Sequence, residues 1–230
     1  MKKIGIIGGL GPESTLVYYK GIIEAFKADC SVKGYPEMSI ESIDLWAFTA
    51  LAEQGKWDAI ADLIGRKCEL LRASGANFGA IATNTPHKVF PQIQAQTSLP
   101  LLSIVEATCE YASVKGLRKL GLMGTRFTME SDFYHKVFEP KEITIVTPQE
   151  NDRNYIHAKL YSEIEFGIVK SETKRQFISI VERLEKTHRI EGLILGCTEL
   201  PLILKPEDIG ISYLDTTAIH VAKIVETCRE

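Results

Sequence analysis

The sequence predicts an α/β protein of two pseudo-symmetric domains, each a mainly parallel four-stranded sheet flanked by helices. Three observations carry that expectation. Short apolar runs alternate with stretches of helical periodicity along the chain. The order of segments in the first half recurs in the second. The composition, 45% hydrophobic and 25% charged over 230 residues, is that of a globular protein able to sustain a core without disulfides.

The elements follow in chain order. The runs at 4–7, 38–43, 78–81 and 99–105 read as four strands of the first half, and those at 119–123, 143–146, 192–195 and 211–214 as four of the second. Most are short and largely apolar, as expected of strands covered on both faces by helices. Between them, 57–74 and 174–186 read as amphipathic helices. Trp57, Ile60, Ile64, Cys68 and Leu71 recur every three or four positions and form one apolar face.

The halves are similar in detail. Lys3-Ile4-Gly5-Ile6-Ile7-Gly8 is echoed by Lys119-Leu120-Gly121-Leu122-Met123-Gly124. The run from Phe78 to Thr85 is echoed by that from Glu191 to Glu199, which sets Thr83 opposite Cys197. The run from Leu102 to Thr108 is echoed by that from Ile211 to Thr217. These echoes predict one domain of residues 1–97 plus 208–230 and a second of 98–207. Parallel strands place reactive loops at their carboxyl ends, so Thr83 and Cys197 are expected on opposite walls of a cleft between the domains.

Charge and cysteine content exclude several classes of function. A formal charge of −3 without blocks of like charge offers no footprint for nucleic acid or an anionic membrane. No apolar run approaches a membrane span, and glycines interrupt the apolar start before it could serve as a secretory signal. Cys30, Cys68, Cys109, Cys197 and Cys228 are scattered without a paired spacing, so a reduced, cytoplasmic protein is expected. The histidines stand apart, and neither a metal-ligand spacing, a Walker lysine nor a nucleophile elbow occurs.

Three loops hold chemistry-bearing residues. Gly8-Gly9-Leu10-Gly11-Pro12-Glu13-Ser14-Thr15 follows the first strand and opens a helix. Ser14 stands at the third glycine position of a dinucleotide fingerprint and Glu13 would face the pyrophosphate. A turn whose amides hold a smaller anion, or a purely structural turn, therefore fits better. In Thr83-Asn84-Thr85-Pro86-His87, Pro86 reads as the first helical residue with Thr85 as its cap. Asn84 and Thr85 either hold a substrate carboxylate or only cap the helix, and His87 either packs or serves as a base. Gly196-Cys197-Thr198-Glu199 puts a cysteine where a helix would begin, and nearby amides would lower its pKa and favour the thiolate. The alternative is an inert buried thiol.

Taken together, GGLGPEST at the start, TNTPHK at 83–88 and LGCTELPLIL at 195–204 resemble the aspartate/glutamate racemases, over essentially the full chain. Glutamate racemase, hydantoin racemase, maleate isomerase and arylmalonate decarboxylase share that scaffold, so the resemblance transfers fold more safely than substrate. It implies a cofactor-independent enzyme, expected as a homodimer, in which one cysteine thiolate removes the α-proton of an amino acid and a second cysteine protonates the opposite face. Here the first position carries Thr83 while Cys197 is retained, which resembles the branch specific for L-aspartate and L-glutamate. The implied reading has Cys197 deprotonating the L enantiomer. Thr83, or a water it orients, protonates the carbanion to give the D form.

Leu10 with its neighbouring amides, Asn84, Thr85, Thr198 and Glu199 are the implied substrate contacts. Members of the family commonly bind the distal carboxylate with a basic side chain. The loop from Thr49 to Lys56 lacks an arginine, so Lys170 is the implied replacement or else a solvated lysine. A non-catalytic amino-acid-binding protein and a single-cysteine decarboxylase of malonate-type acids are the alternative readings.

Overall fold

The computed structural model describes residues 1–28 and 34–230, and Cys30 lies outside them. The chain divides into two compact units, Met1–Ala107 with Thr217–Glu230 and Thr108–Thr216. In the first, β1 (Ile4–Gly8), β2 (Met38–Ser42), β3 (Phe78–Ile81) and β4 (Leu101–Leu102) form a four-stranded sheet in the order β2-β1-β3-β4. In the second, β5 (Lys119–Gly124), β6 (Thr144–Val146), β7 (Gly192–Gly196) and β8 (Ser212–Asp215) take the order β6-β5-β7-β8. Every pairing is parallel. The two orders are the same, so the sequence echo is a duplication of topology.

Burial explains why these runs are strands. β1, β3 and β7, each flanked on both sides, are buried at every position, whereas the edge strands β2, β6 and β8 are only partly buried. The first core packs Ile4, Ile6, Phe78 and Ala80 against Tyr18, Ile22 and Phe26 of helix Pro12–Ala28 and against Ile224 and Val225 of helix Thr216–Arg229. The second packs Met123, Leu193 and Leu195 against Ile156, Leu160, Phe177 and Ile180. Helix Trp57–Ala73 buries Ile60, Ile64, Cys68 and Leu71 as its periodicity predicts. Its Trp57 stays half-buried, with Lys88 Nζ 4.1 Å above the ring.

Two expectations are corrected. The expected strand at 99–105 is only Leu101–Leu102, because Ser103 starts a helix at Ile104. Its carbonyl accepts the Ala107 N–H at 2.9 Å and its hydroxyl the Glu106 N–H at 3.3 Å. The boundaries expected at 97/98 and 207/208 would give β4 to the second domain and β8 to the first. In the structure β4 pairs with β3 and β8 with β7, so each boundary falls after the strand. Among the described residues no helix is long and apolar enough to cross a membrane, and no group of three His, Cys, Asp or Glu could hold a metal ion.

Candidate active site

Each unit gathers its chemistry-bearing loops at the carboxyl ends of its strands. In the first unit the glycine loop leaves β1 and enters helix Pro12–Ala28. Gly9 and Gly11 take positive φ of 83° and 58°, accessible to glycine at little cost. A Cβ on Gly9 would run into the Ile43 carbonyl oxygen, so the loop lies directly on the end of β2. The Gly9 N–H donates to Thr15 Oγ1 at 2.9 Å, which commits one of the amides expected to face an anion. Leu10 is buried.

Thr83 is half-buried two residues beyond β3. Asn84 is buried in helical geometry, and its carbonyl accepts the His87 N–H at 3.0 Å. This corrects the expected cap. The turn Thr85–Val89 is a 3₁₀ helix flanked by Asn84 rather than an α-helix capped by Thr85, and no side chain caps it. The Asn84 carbonyl bonds three residues ahead, which winds the turn tightly from the first residue. Thr85 is half-buried beside it.

His87 packs, as one reading of the sequence has it. The ring is 3% exposed and lies parallel to Phe90, 8° apart in plane and 5.0 Å between centroids. Its Nε2 accepts the Ile104 N–H at 3.3 Å. Burial pushes its pKa down to about 4, so the ring is neutral at physiological pH.

In the second unit Cys197 directly follows β7. Its Sγ donates to Glu199 Oε2 at 2.9 Å, and the Thr198 hydroxyl donates to the same oxygen at 2.8 Å. The expectation of an acidified thiol is therefore overturned. Burial first, then the Glu199 charge, raise the Cys197 pKa well above the ordinary thiol value, and the Glu165 charge adds to them. The helix behind it, Leu200–Ile203, is one turn long and begins three residues later, so its amides do not compensate. Glu199, expected to touch substrate, is committed to its own loop. Cys68, Cys109 and Cys228 are buried, and burial pushes the Cys68 thiol up to about 12.

Glu165 is a carboxylate that sequence reasoning missed. It sits half-buried in the turn Ile164–Phe166, and burial together with Glu199 raises its pKa. Nothing in its local sequence marks it, since its neighbourhood depends on a segment more than thirty residues away in the chain. Lys170 is exposed, and its Nζ lies 3.0 Å from Glu163 Oε1. Glu163 itself is buried. Lys159, Thr173 and Lys170 hold its carboxylate down at about 2.

Residues 7–224 match the Asp/Glu/Hydantoin racemase family. A broad specificity amino-acid racemase of Bacillus subtilis is 25% identical, with 97% of each chain covered. Among solved structures, an aspartate racemase homologue from Pyrococcus horikoshii is 38% identical with a TM-score of 0.87, and both chains are covered in full. A candidate Asp/Glu racemase from Yersinia pestis is 33% identical with a TM-score of 0.93, again over 100% of both chains.

Proposed function

The chain belongs to the Asp/Glu/hydantoin racemase family, and from that premise we propose that it is a cofactor-independent racemase of L-aspartate and L-glutamate. The observation that carries the reading is the Cys197 thiol hydrogen-bonded to a carboxylate just past β7; the equivalent position past β3 in the other unit holds Thr83.

An α-proton is weakly acidic, so the base must be strong and the carbanion must be cradled. Cys197 rests as a thiol. On substrate binding the S–H bond breaks and its proton passes to Glu199 Oε2. The substrate's α-ammonium, brought beside the sulfur and Glu165, stabilises the thiolate against the remaining negative charge. The thiolate then takes the α-hydrogen of the L enantiomer, and the electron pair spreads into the α-carboxylate. Thr83, or a water it orients, delivers a solvent proton to the opposite face, and Glu199 releases its proton to solvent. The Leu10 amides, Asn84, Thr85 and Thr198 would hold the α-carboxylate. Lys170 would bind the distal one by sharing itself between Glu163 and the substrate.

Thr83 is a poor base, so the D-to-L direction is slow under turnover, while the equilibrium between enantiomers stays at one. Proton NMR of Cα–H exchange in D2O, with both enantiomers of aspartate and glutamate, tests this. The expected result is loss of the L-substrate signal, much slower loss from D, and abolition by Cys197→Ser. No exchange with any of the four substrates sinks the proposal.

A further inference from the structure

A buried polar atom near Thr83 is left over from the site as described. His87 Nδ1 has no hydrogen-bond partner among the described residues, although the ring is 3% exposed. Buried donors and acceptors of a folded protein are nearly always satisfied, so an orphan needs a reason. The other edge of the ring fixes its protonation. Because Nε2 accepts the Ile104 N–H, the neutral ring must carry its hydrogen on Nδ1. The orphan is therefore a donor. The backbone carbonyls of Asn84 and Thr83 lie against the same ring without meeting the geometry of a hydrogen bond. Phe90 stacked on one face and the 3₁₀ turn Thr85–Val89 hold the ring in place.

We propose that His87 is the positioning residue of the Thr83 loop. The ring anchors on Ile104 through Nε2, and its Nδ1–H closes onto the Thr83–Asn84 backbone when substrate fills the loop, setting the direction from which Thr83 returns the proton. Hydrogen bonds of this kind are often long in an empty site and tighten in the complex. The proposal rests on the racemase reading for its consequence, but not for its geometry. His87 makes no contact with substrate and moves no proton.

Two substitutions separate the two edges. His87→Gln keeps an acceptor for the Ile104 N–H and loses the donor at the Nδ1 position. His87→Asn keeps a donor near the Nδ1 position and loses the reach to Ile104. In D2O, L-aspartate can exchange with retention, through Cys197 alone, or invert, which also needs Thr83. In His87→Gln the ratio of D product to deuterated L product should fall by about tenfold or more, as a misdirected group predicts, while His87→Asn holds the wild-type ratio. If exchange and inversion decline together in both variants, or the ratio moves in neither, the positioning role is overturned.

A second readout needs no turnover. Nitrogen-15 NMR of the imidazole should show His87 with its hydrogen on Nδ1. Amide hydrogen exchange at Thr83 and Asn84 should quicken in His87→Gln and not in His87→Asn. A hydrogen on Nε2, or unchanged exchange at both amides in His87→Gln, overturns the proposal even where wild-type protein exchanges no amino acid and the racemase reading has fallen.

Discussion

A thiol that is to act as a base must first lose its proton, and Cys197 is held where that is difficult. Its sulfur donates to Glu199, whose charge stabilises the protonated form, and burial acts in the same direction. Removing that charge should reverse part of the shift. In Glu199→Gln the pH profile of Cys197 alkylation should move down by about one pH unit or more, as expected when a neighbouring charge is lost. Racemisation should fall at the same time, because the acceptor for the thiol proton is gone. Thr83 presents the complementary case, with a hydroxyl where the resemblance leads one to expect a second thiol. Thr83→Cys should speed Cα–H exchange from the D enantiomer more than from the L, by about tenfold or more if a thiol replaces a far weaker base. Equal exchange from both enantiomers in wild-type protein would contradict the assigned asymmetry.

At the scale of elements, the loops owe their shape to glycines that leave no room for a side chain. Gly9 combines a positive φ with direct approach to the Ile43 carbonyl oxygen. Gly9→Ala should therefore cost about 2 kcal/mol or more, from backbone strain and a forced shift at the end of β2. Denaturant unfolding measures it, and a loss within experimental error would mean that the loop can move aside. Gly124 and Gly196 play a similar part in the second unit. A Cβ on Gly124 would come within 2.7 Å of the Gly196 carbonyl oxygen, so the ends of β5 and β7 can close only without side chains there. On the same side of the chain, Glu163 ties Lys159, Lys170 and Thr173 together and fixes the turn that carries Glu165 to the start of helix Ser171–His188.

Across the whole molecule, two histidines are buried neutral in the first unit, and this couples folding to pH. His220 Nε2 lies 3.1 Å from the Leu102 carbonyl oxygen and must donate to it, so Nδ1 accepts from the Tyr18 hydroxyl at 2.8 Å. This chain links the helix Pro12–Ala28, the helix Thr216–Arg229 and β4. Burial lowers the His87 and His220 pKa values to about 4 and about 3. An unfolded histidine titrates near 6.5, so below that pH the unfolded chain binds more protons than the folded one. Stability is then complete above pH ~6.5 and declines as pH falls toward the folded values. Between pH 7.5 and 5 each ring should cost about 2 kcal/mol. Urea unfolding at the two pH values checks this, and His220→Gln should flatten the dependence. A stability unchanged between them would show that the rings are hydrated or paired in a way that permits charging.

The sequence by itself determined the class and the plan. The buried strands β1, β3, β5 and β7 announce themselves as apolar runs, and the echo of one half in the other predicts two similar four-stranded units, because period and burial are written locally in the chain. Thr83 and Cys197 were legible for the same reason, as residues one or two places past a strand end. Tertiary structure decided what depends on distant neighbours. The boundaries expected at 97/98 and 207/208 put β4 and β8 in the wrong domains, since only their pairing partners say which sheet they join. The Cys197 thiol was read as acidified from its position ahead of a helix. Its pKa is in fact raised, first by burial and then by the charges of Glu199, two residues on, and of Glu165, far back in the chain. Local pattern records which atoms a residue brings, while burial and electrostatic sign are set by whatever the fold packs around it.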